Sequence, residues 1–167
     1  LVTTALAAVT GLFLLGYGGW EMIPVGIAVL FFAFLYTTGP YPLAYHGWGD
    51  ILVLVFFGFV PVGCTFYVMA HDWNTSVTMA SLACGFVIDT LLMVNNFRDR
   101  EQDAISGKKT IVVRLGARAG LILYFLLGLA ACWSCFYFVT EGRLWAAILP
   151  QIYLFISYSH HNENGTN

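Results

Sequence analysis

Six long apolar runs divide this chain, and each is close to the length that a helix needs to cross a lipid bilayer. A hydrocarbon core of ~30 Å takes ~20 helical residues. In lipid, only helices and closed barrels satisfy their backbone hydrogen bonds, and the sequence lacks the alternating ten-residue segments typical of barrels. We therefore predict an all-α, polytopic transmembrane helical bundle with about six helices. The runs are Val2 to Gly18, Ile23 to Thr38, Ile51 to Met69, Val77 to Val94, Ala119 to Val139 and Leu144 to Tyr158.

Composition agrees with a chain that lives in lipid. It is 59% hydrophobic and 10% charged, against roughly 25% charged residues in soluble domains. We expect residues 1–167 to form a single transmembrane domain. The formal net charge of −2 gives no support for binding to nucleic acid. Pro61 lies inside the third run and is expected to kink its helix.

The basic residues predict the orientation of the bundle. Six of the seven Lys and Arg residues lie in one loop between residues 95 and 118, and such loops stay on the cytoplasmic side. Residues 39–50 then belong to the same side. We expect an integral protein of the bacterial inner (plasma) membrane with the 95–118 loop in the cytoplasm. The six residues are Arg98, Arg100, Lys108, Lys109, Arg114 and Arg118.

Acidic and amide side chains gather where the fourth apolar run stops. If its helix continues past Val94 for two or three turns, Asn95, Asp99 and Asp103 recur at intervals of four residues on one side. Asn96 lies seven residues before Asp103. Carboxylate and carboxamide oxygens without His or Cys favour Mg²⁺ over zinc or copper. Asn95, Asn96, Asp99 and Asp103 are thus the candidate metal ligands.

Such a set is too small for a closed metal site and implies a phosphorylated ligand. Mg²⁺ usually keeps waters and takes oxygens from the phosphates of its substrate. Carboxylates and a diphosphate repel each other by about 4 kcal/mol per unit-charge pair at 4 Å and an effective dielectric of 20, so cations must lie between them. Arg98, Lys108 and Lys109 are the candidate partners of the diphosphate. A solvated loop, in which the acids only balance topology-setting basic residues, is the alternative.

Asp89 is a second polar signal, because it lies deep within an apolar run. An ionisable side chain is costly there and usually faces a cavity or a partner. Asp89 precedes Asn96 by seven residues and Asp103 by fourteen, which places the three on roughly one helix stripe. A structural hydrogen bond is an equally good explanation for Asp89.

These motifs resemble those of the UbiA-type intramembrane prenyltransferases. Their second aspartate-rich motif is similar to Asn95-Asn96-Phe97-Arg98-Asp99 with Asp103, followed by Gly107-Lys108-Lys109-Thr110 and Val113-Arg114-Leu115-Gly116. The double asparagine resembles the branch that prenylates 1,4-dihydroxy-2-naphthoate in menaquinone synthesis. The segment from Gly39 to Gly47, Gly-Pro-Tyr-Pro-Leu-Ala-Tyr-His-Gly, is similar to a characteristic loop of that branch.

The resemblance implies an enzyme that transfers a polyprenyl group from polyprenyl diphosphate to 1,4-dihydroxy-2-naphthoate, with Mg²⁺ as cofactor, giving demethylmenaquinone. Asp99 and Asp103 would be the catalytic acidic residues that hold the metal. The acceptor would be positioned by Tyr41, Tyr45 and His46, with Asp89 as a further candidate. The expected partners of the protein are therefore the polyprenyl diphosphate, the aromatic acceptor and the lipid bilayer.

Members of this family have nine helices and two acidic motifs. The chain shows only the second motif, and its six runs are similar to family helices three through eight. We therefore expect a fragment truncated at the N-terminus and also at the C-terminus, inactive alone. Three alternatives stay open: a prenyltransferase for a 4-hydroxybenzoate type of acceptor, a non-catalytic membrane protein and a cation transporter.

Overall fold

The computed structural model describes residues 2–38 and 41–152, and within those ranges the regular elements are helices. The long ones are joined by short turns, and shorter helices lie between the fourth and fifth apolar runs. In chain order the α-helices are α1 (Val2–Phe13), α2 (Leu15–Gly18), α3 (Met22–Thr37), α4 (Gly49–Val53), α5 (Thr65–Ala70), α6 (Thr75–Arg98), α7 (Arg100–Ile105), α8 (Ile111–Leu115) and α9 (Ala117–Phe136).

Three continuous helical stretches are long and apolar enough to cross a membrane: Gly49–Ala70, Thr75–Arg98 and Ala117–Val139, with 22, 24 and 23 residues. Two shorter apolar helical stretches, Val2–Gly18 and Met22–Thr37, correspond to the first two predicted runs. Residues 144–152 are helical as well. The rest of the sixth predicted run, residues 153–158, lies outside the described residues. The prediction of an all-α transmembrane bundle is confirmed.

The first of the long stretches is irregular around its proline. Between α4 and α5 the chain is π-helical over Leu54–Cys64, with Pro61 inside this segment. Proline has no backbone N–H to donate and its ring clashes with the preceding turn, so the normal α-helical hydrogen-bond pattern is interrupted there. The irregularity predicted at Pro61 therefore takes the form of a widened helix.

Helix α6 forms the centre of the bundle. It packs against α9 on one side and against the π-helical stretch on the other. Its buried residues recur every four positions and form one stripe: Val77, Ser81, Gly85, Asp89 and Met93. Glycine lets the backbones approach closely, because a Cβ atom on Gly58 would lie 2.8 Å from the Cα of Gly85. Small residues at such crossings are typical of membrane helices.

The outward faces of the long helices are apolar. Leu91 of α6 and Ile122 and Trp133 of α9 are exposed, Trp133 to 81%. Helices that are hydrophobic on all sides are stable as membrane spans, since lipid tails cover the faces that no other helix covers. The bundle thus carries its polar groups at the helix ends and along the buried stripe of α6.

Candidate functional site

Helix α6 ends one turn beyond the apolar run, at Arg98. Asp99 leaves helical geometry (φ −90°, ψ 6°), and α7 begins at Arg100. The prediction of an unbroken helix is therefore wrong at Asp99. The four-residue spacing survives, because the N–H of Asp99 donates to the carbonyl of Asn95 (2.9 Å) and that of Asp103 to the carbonyl of Asp99 (2.8 Å).

The Asp99 carboxylate is paired with its neighbour. Arg98 donates from Nε to Oδ1 at 2.8 Å and from Nη2 to Oδ2 at 3.1 Å. This two-fold hydrogen bond from Arg98 holds the pKa of Asp99 below its ordinary value, and the carboxylate is 41% exposed. Asp99 is thus an ionised, accessible oxygen donor at the end of the bundle.

Asp103 occupies a different environment, because it is buried, with 6% of its surface exposed. The Lys108 Nζ atom lies 2.9 Å from its Oδ1 atom, and the Lys108 backbone N–H donates to the Asp103 carbonyl at 2.9 Å. Hydrogen bonding to Asp103 raises the pKa of Lys108. Lys108 also interacts electrostatically with Asp99, so one ammonium group serves both predicted catalytic acids.

The two loops that the sequence predicted on one side of the membrane meet in the structure. The Lys109 backbone N–H donates to the Tyr45 carbonyl at 2.8 Å. Arg114 donates from Nη2 to the carbonyl of His46 at 3.0 Å, across 68 residues of sequence. The Lys108 ammonium group lies 5.8 Å from the centroid of the Tyr45 ring, within the range of a cation–π contact. The residues predicted to bind the diphosphate therefore adjoin those predicted to bind the aromatic acceptor.

Gly47 permits this contact between the loops. Its φ of +81° lies in the left-handed region, which glycine adopts at no steric cost. A Cβ atom at this position would also lie 2.8 Å from the carbonyl oxygen of Lys109. The glycine is thus required twice, for the backbone conformation and for the close approach.

The other predicted site residues differ in their contacts and exposure. Tyr41 and His46 stack with ring centroids 3.5 Å apart, and the His46 Nδ1 atom lies 2.8 Å from the Pro42 carbonyl oxygen. The side chain of Lys109 is exposed. Asn95 and Asn96 are half-buried, and within the described part of the chain their amide groups make no side-chain hydrogen bond.

Asp89 lies apart from this group, on the buried stripe of α6, with 3% of its surface exposed. It is close enough to Asp50 for the two carboxylates to repel each other. Among the described residues, the Oδ1 atoms of Asp50 and Asp89 are both buried without a hydrogen-bond partner. The structural hydrogen bond considered for Asp89 from the sequence is not formed with these residues.

Asp50 and Tyr36 are polar residues that the sequence analysis did not assign to the site. Tyr36 interacts electrostatically with Asp50 and with Lys108, so it connects the acid pair to the loop contact. The signal for Asp50 was its position next to the third apolar run, directly after the Gly39 to Gly47 segment. Tyr36, at the end of the second run, could not be distinguished from an ordinary interfacial tyrosine.

An apolar cavity of about 470 Å³ extends into the bundle from Tyr36. Phe32 and Phe56 line it, and their ring centroids are 5.3 Å apart. Leu52 of the Gly49–Ala70 stretch and Leu92 of α6 close its other sides. A second apolar cavity, of about 710 Å³, lies between α1, α3 and the Gly49–Ala70 stretch.

The oxygen atoms at the end of α6 and in α7 are of the type that binds Mg²⁺, but they are few. They belong to the carboxylates of Asp99 and Asp103 and the amide groups of Asn95 and Asn96, all hard oxygen ligands. Within residues 2–38 and 41–152, no three His, Cys, Asp or Glu side chains form a metal-binding group. The described residues therefore supply at most part of a coordination shell.

Comparison with known proteins identifies the family of this chain. The model of the UbiA prenyltransferase family matches residues 1–165. The chain belongs to the UbiA prenyltransferase family. Among curated relatives of this UbiA family member, the 1,4-dihydroxy-2-naphthoate octaprenyltransferase of Haemophilus influenzae is 42% identical over 67% of the chain and 37% of the relative. The Escherichia coli protein of the same name is 33% identical over 87% of the chain and 50% of the relative.

A third relative with that name, from Mycobacterium tuberculosis, is 39% identical over 78% of the UbiA-family chain and 45% of the relative. The chain thus spans between about a third and half the length of these curated relatives. No solved structure matches it.

Proposed function

We propose that the whole protein transfers a polyprenyl group from polyprenyl diphosphate to 1,4-dihydroxy-2-naphthoate in a Mg²⁺-dependent reaction that gives the quinol form of demethylmenaquinone. The observation that carries this proposal is the meeting of two polar loops at one end of an apolar bundle, where the Asp103–Lys108 ion pair lies against Tyr45. The names of the three relatives support the acceptor. Their names say octaprenyl, and we propose a polyprenyl donor without assigning its length.

The diphosphate is held at the end of α6. Asp99 and Asp103, helped by the amide oxygens of Asn95 and Asn96, would hold the Mg²⁺ ion. When bound, the ion withdraws electron density from the diphosphate and makes it a better leaving group. Lys108 lies within electrostatic reach of both carboxylates, and its ammonium group neutralises charge that the diphosphate brings.

Two more cations complete the binding of the donor. Arg98 presents its guanidinium group beside Asp99 at the exposed end of the helix, where planar forked donors suit phosphate oxygens. The exposed Lys109 side chain adds charge from the adjoining loop. Without these cations, two carboxylates would repel the approaching diphosphate.

The aromatic residues stabilise the prenyl carbon from which the diphosphate leaves. Cleavage of the carbon–oxygen bond leaves positive charge on an allylic carbon, and aromatic faces attract such charge. Tyr36, Phe32 and Phe56 line the apolar cavity, and Tyr36 interacts electrostatically with Lys108. Tyr41, Tyr45 and His46 would position the acceptor ring at the mouth of this cavity. The electron-rich ring then bonds to the prenyl carbon in place of its carboxylate, which leaves as carbon dioxide, and the product is the quinol.

We also propose the orientation: the loops at residues 41–49 and 95–118 face the cytoplasm, and the membrane is the bacterial inner (plasma) membrane. The basic residues of the 95–118 loop support this assignment. A polar site at the membrane surface lets a water-soluble naphthoate and a lipid-soluble donor reach the same place.

The test uses the full-length protein in membranes. One labelled polyprenyl diphosphate is offered together with 1,4-dihydroxy-2-naphthoate and 4-hydroxybenzoate, and Mg²⁺ is titrated. We expect a prenylated naphthoquinol product only, with both turnover and donor binding dependent on Mg²⁺. Product from the benzoate alone would overturn the acceptor assignment, and donor binding independent of Mg²⁺ would overturn the metal assignment.

A further inference from the structure

Two carboxylates in the membrane-spanning part of the bundle, those of Asp50 and Asp89, each have one buried oxygen atom without a hydrogen-bond partner among the described residues. Burying an ionisable side chain without a partner is costly, and the cost is largest in lipid. Asp89 is 97% buried, and its Oδ1 atom has no partner among the described residues. The Oδ1 atom of Asp50 is in the same state, and the two side chains come from different spans that pack together.

The surroundings of this pair define what could bind to it. The Tyr36 hydroxyl group approaches the start of α4, where a Cβ atom on Gly49 would lie 3.8 Å from it. Leu92, one turn beyond Asp89, has its Cδ2 atom 3.4 Å from the same Cβ position and lines the aromatic cavity. The acid pair therefore lies within one helical turn of the cavity wall on both α4 and α6.

The chemistry of the pair favours a hydroxyl-bearing ligand. Carboxylate oxygens only accept hydrogen bonds, so their partner must donate. Two acceptors on neighbouring helices match a planar aromatic ring that carries more than one hydroxyl group. The adjoining walls of Phe32 and Phe56 suit the faces of such a ring.

We propose that Asp50 and Asp89 form the site that recognises the hydroxyl groups of the aromatic acceptor, with Tyr36 at its rim. This inference rests on the proposed function and assigns the specificity of the same site. Asp50 and Asp89 accept hydrogen bonds from the ring hydroxyl groups of a dihydroxynaphthoate. The ring is then held between the two spans, with its reacting carbon toward the Lys108 end of the cavity.

Hydrogen-bond acceptors that are buried and otherwise unpaired make a site selective. A substrate that lacks one hydroxyl group leaves a carboxylate buried and unpaired, and sites of this kind reject such analogues strongly. A carboxylate that accepts a hydrogen bond also leaves more electron density on the ring, which favours attack on the prenyl carbon. Asp50 and Asp89 are positioning residues in this sense.

The experiment compares two acceptors in the full-length enzyme. The ratio of kcat/KM for 1,4-dihydroxy-2-naphthoate to that for 1-hydroxy-2-naphthoate is measured for the wild type and for Asp89→Ala, Asp89→Asn and Asp50→Asn. Where the monohydroxy compound turns over too slowly, its inhibition constant replaces kcat/KM. Intrinsic ring reactivity cancels when the ratio of a variant is divided by that of the wild type.

Ser81→Ala provides the matched control. Ser81 lies on the same buried stripe of α6, two turns from Asp89, is 0% exposed, and its Oγ atom is likewise without a partner among the described residues. Removing this hydroxyl group should change neither acceptor ratio nor donor KM. The donor KM of every variant is measured as well, since a merely structural role would affect both substrates.

We expect Asp89→Ala to narrow the acceptor ratio by about 10- to 100-fold, the usual effect of losing a hydrogen bond to a charged group, with the donor KM within about two-fold of wild type. Asp89→Asn, which keeps the side-chain volume, should give a smaller change in the same direction and tests the site if the alanine variant fails to fold. Asp50→Asn, at the residue that faces the hydroxyl group common to both acceptors, should lower kcat/KM for both acceptors and leave the donor KM unchanged. An unchanged ratio in the Asp89 variants, or equal changes in the KM of donor and acceptor, would overturn the assignment of Asp50 and Asp89 and leave the proposed function standing. A wild type that does not prenylate the dihydroxynaphthoate would overturn the proposed function and this assignment together.

Discussion

The two ends of the bundle use polar side chains in different ways. At the end that carries Glu141, polar groups complete helices: the Asn74 Oδ1 atom accepts from the Val77 N–H at 3.0 Å at the start of α6. The Ser76 hydroxyl group donates to the Glu141 carboxylate. This joins the start of α6 to the turn after α9, and these contacts need nothing from outside the chain.

The end that carries Lys108 has more polar side chains than are needed to cap and join its helices. Asp103 is buried against Lys108, and the loop around Tyr45 is held against the basic loop. One layer deeper, the Oδ1 atoms of Asp50 and Asp89 are buried without partners among the described residues. Polar groups beyond those that cap and join helices are costly near lipid, so their concentration at one end indicates where ligands bind. The predictions that follow test this difference between the ends.

The largest effect should come from the acids at the Lys108 end. In the full-length enzyme, Asp103→Ala and Asp99→Ala should each lower kcat/KM for prenyl transfer by at least about 100-fold, because each removes an oxygen ligand and leaves a cation unpaired. Product formation in membranes measures this. Glu101→Gln is the control, since its side chain is 87% exposed, and a comparable loss there would mean that any change in charge is damaging.

Separating the two loops should have the next largest effect. Gly47→Ala places a methyl group against the Lys109 carbonyl oxygen and strains a backbone with φ of +81°, which costs about 1–3 kcal/mol. Activity should fall by about 10-fold together with a lower Tm. Gly142→Ala is the control at the other end, because Gly142 has φ of +75° but no atom within 4 Å of the added Cβ. Equal losses of activity in the two variants would show that the loop contact is not needed for function.

Lys108 and Lys109 should differ, although they are neighbours in sequence. The double variant Lys108→Ala, Lys109→Ala should raise the KM for the diphosphate donor by about 10-fold, the effect of one lost charge-assisted hydrogen bond. Lys108→Ala alone should give most of this rise, since only Lys108 is paired with Asp103. Steady-state kinetics with varied donor measures it, and a larger effect from Lys109→Ala would contradict the assignment.

The smallest effect should be that of pH on the KM for the diphosphate donor. The pKa of Asp99 is lowered below 3.8, so the stabilisation that its charge provides is present above that pH and is lost as the pH falls through the lowered pKa. The pKa of Lys108 is raised above 10.5, so its contribution is present below that value and is lost as the pH rises through the raised pKa. Both groups keep their charge from about pH 5.5 to about 9, and donor KM should be constant over this range. An inflection there in the wild type that disappears in Lys108→Ala would refute the ion-pair environment.

Much of the fold could be read from the chain alone. The apolar runs placed the helices because lipid requires every backbone group to bond within its own helix. The break at Asp99 could not be read in this way, since the one-turn spacing of Asn95, Asp99 and Asp103 is the same for an unbroken helix as for the bent one. Pro61 indicated an irregular helix, but a proline in the sequence does not specify the π-helical form found over Leu54–Cys64.

For the site, the sequence by itself determined which chemistry was available: oxygen ligands and basic residues at one membrane boundary, since residue type fixes charge and ligand preference. Only the tertiary structure decided which of these groups meet. The pairing of Asp103 with Lys108, the docking of the Tyr45 loop and the approach of Asp50 to Asp89 join residues from separate turns and spans. Such contacts depend on how helices cross, and helix crossing is set by close packing at small residues such as Gly58 and Gly85.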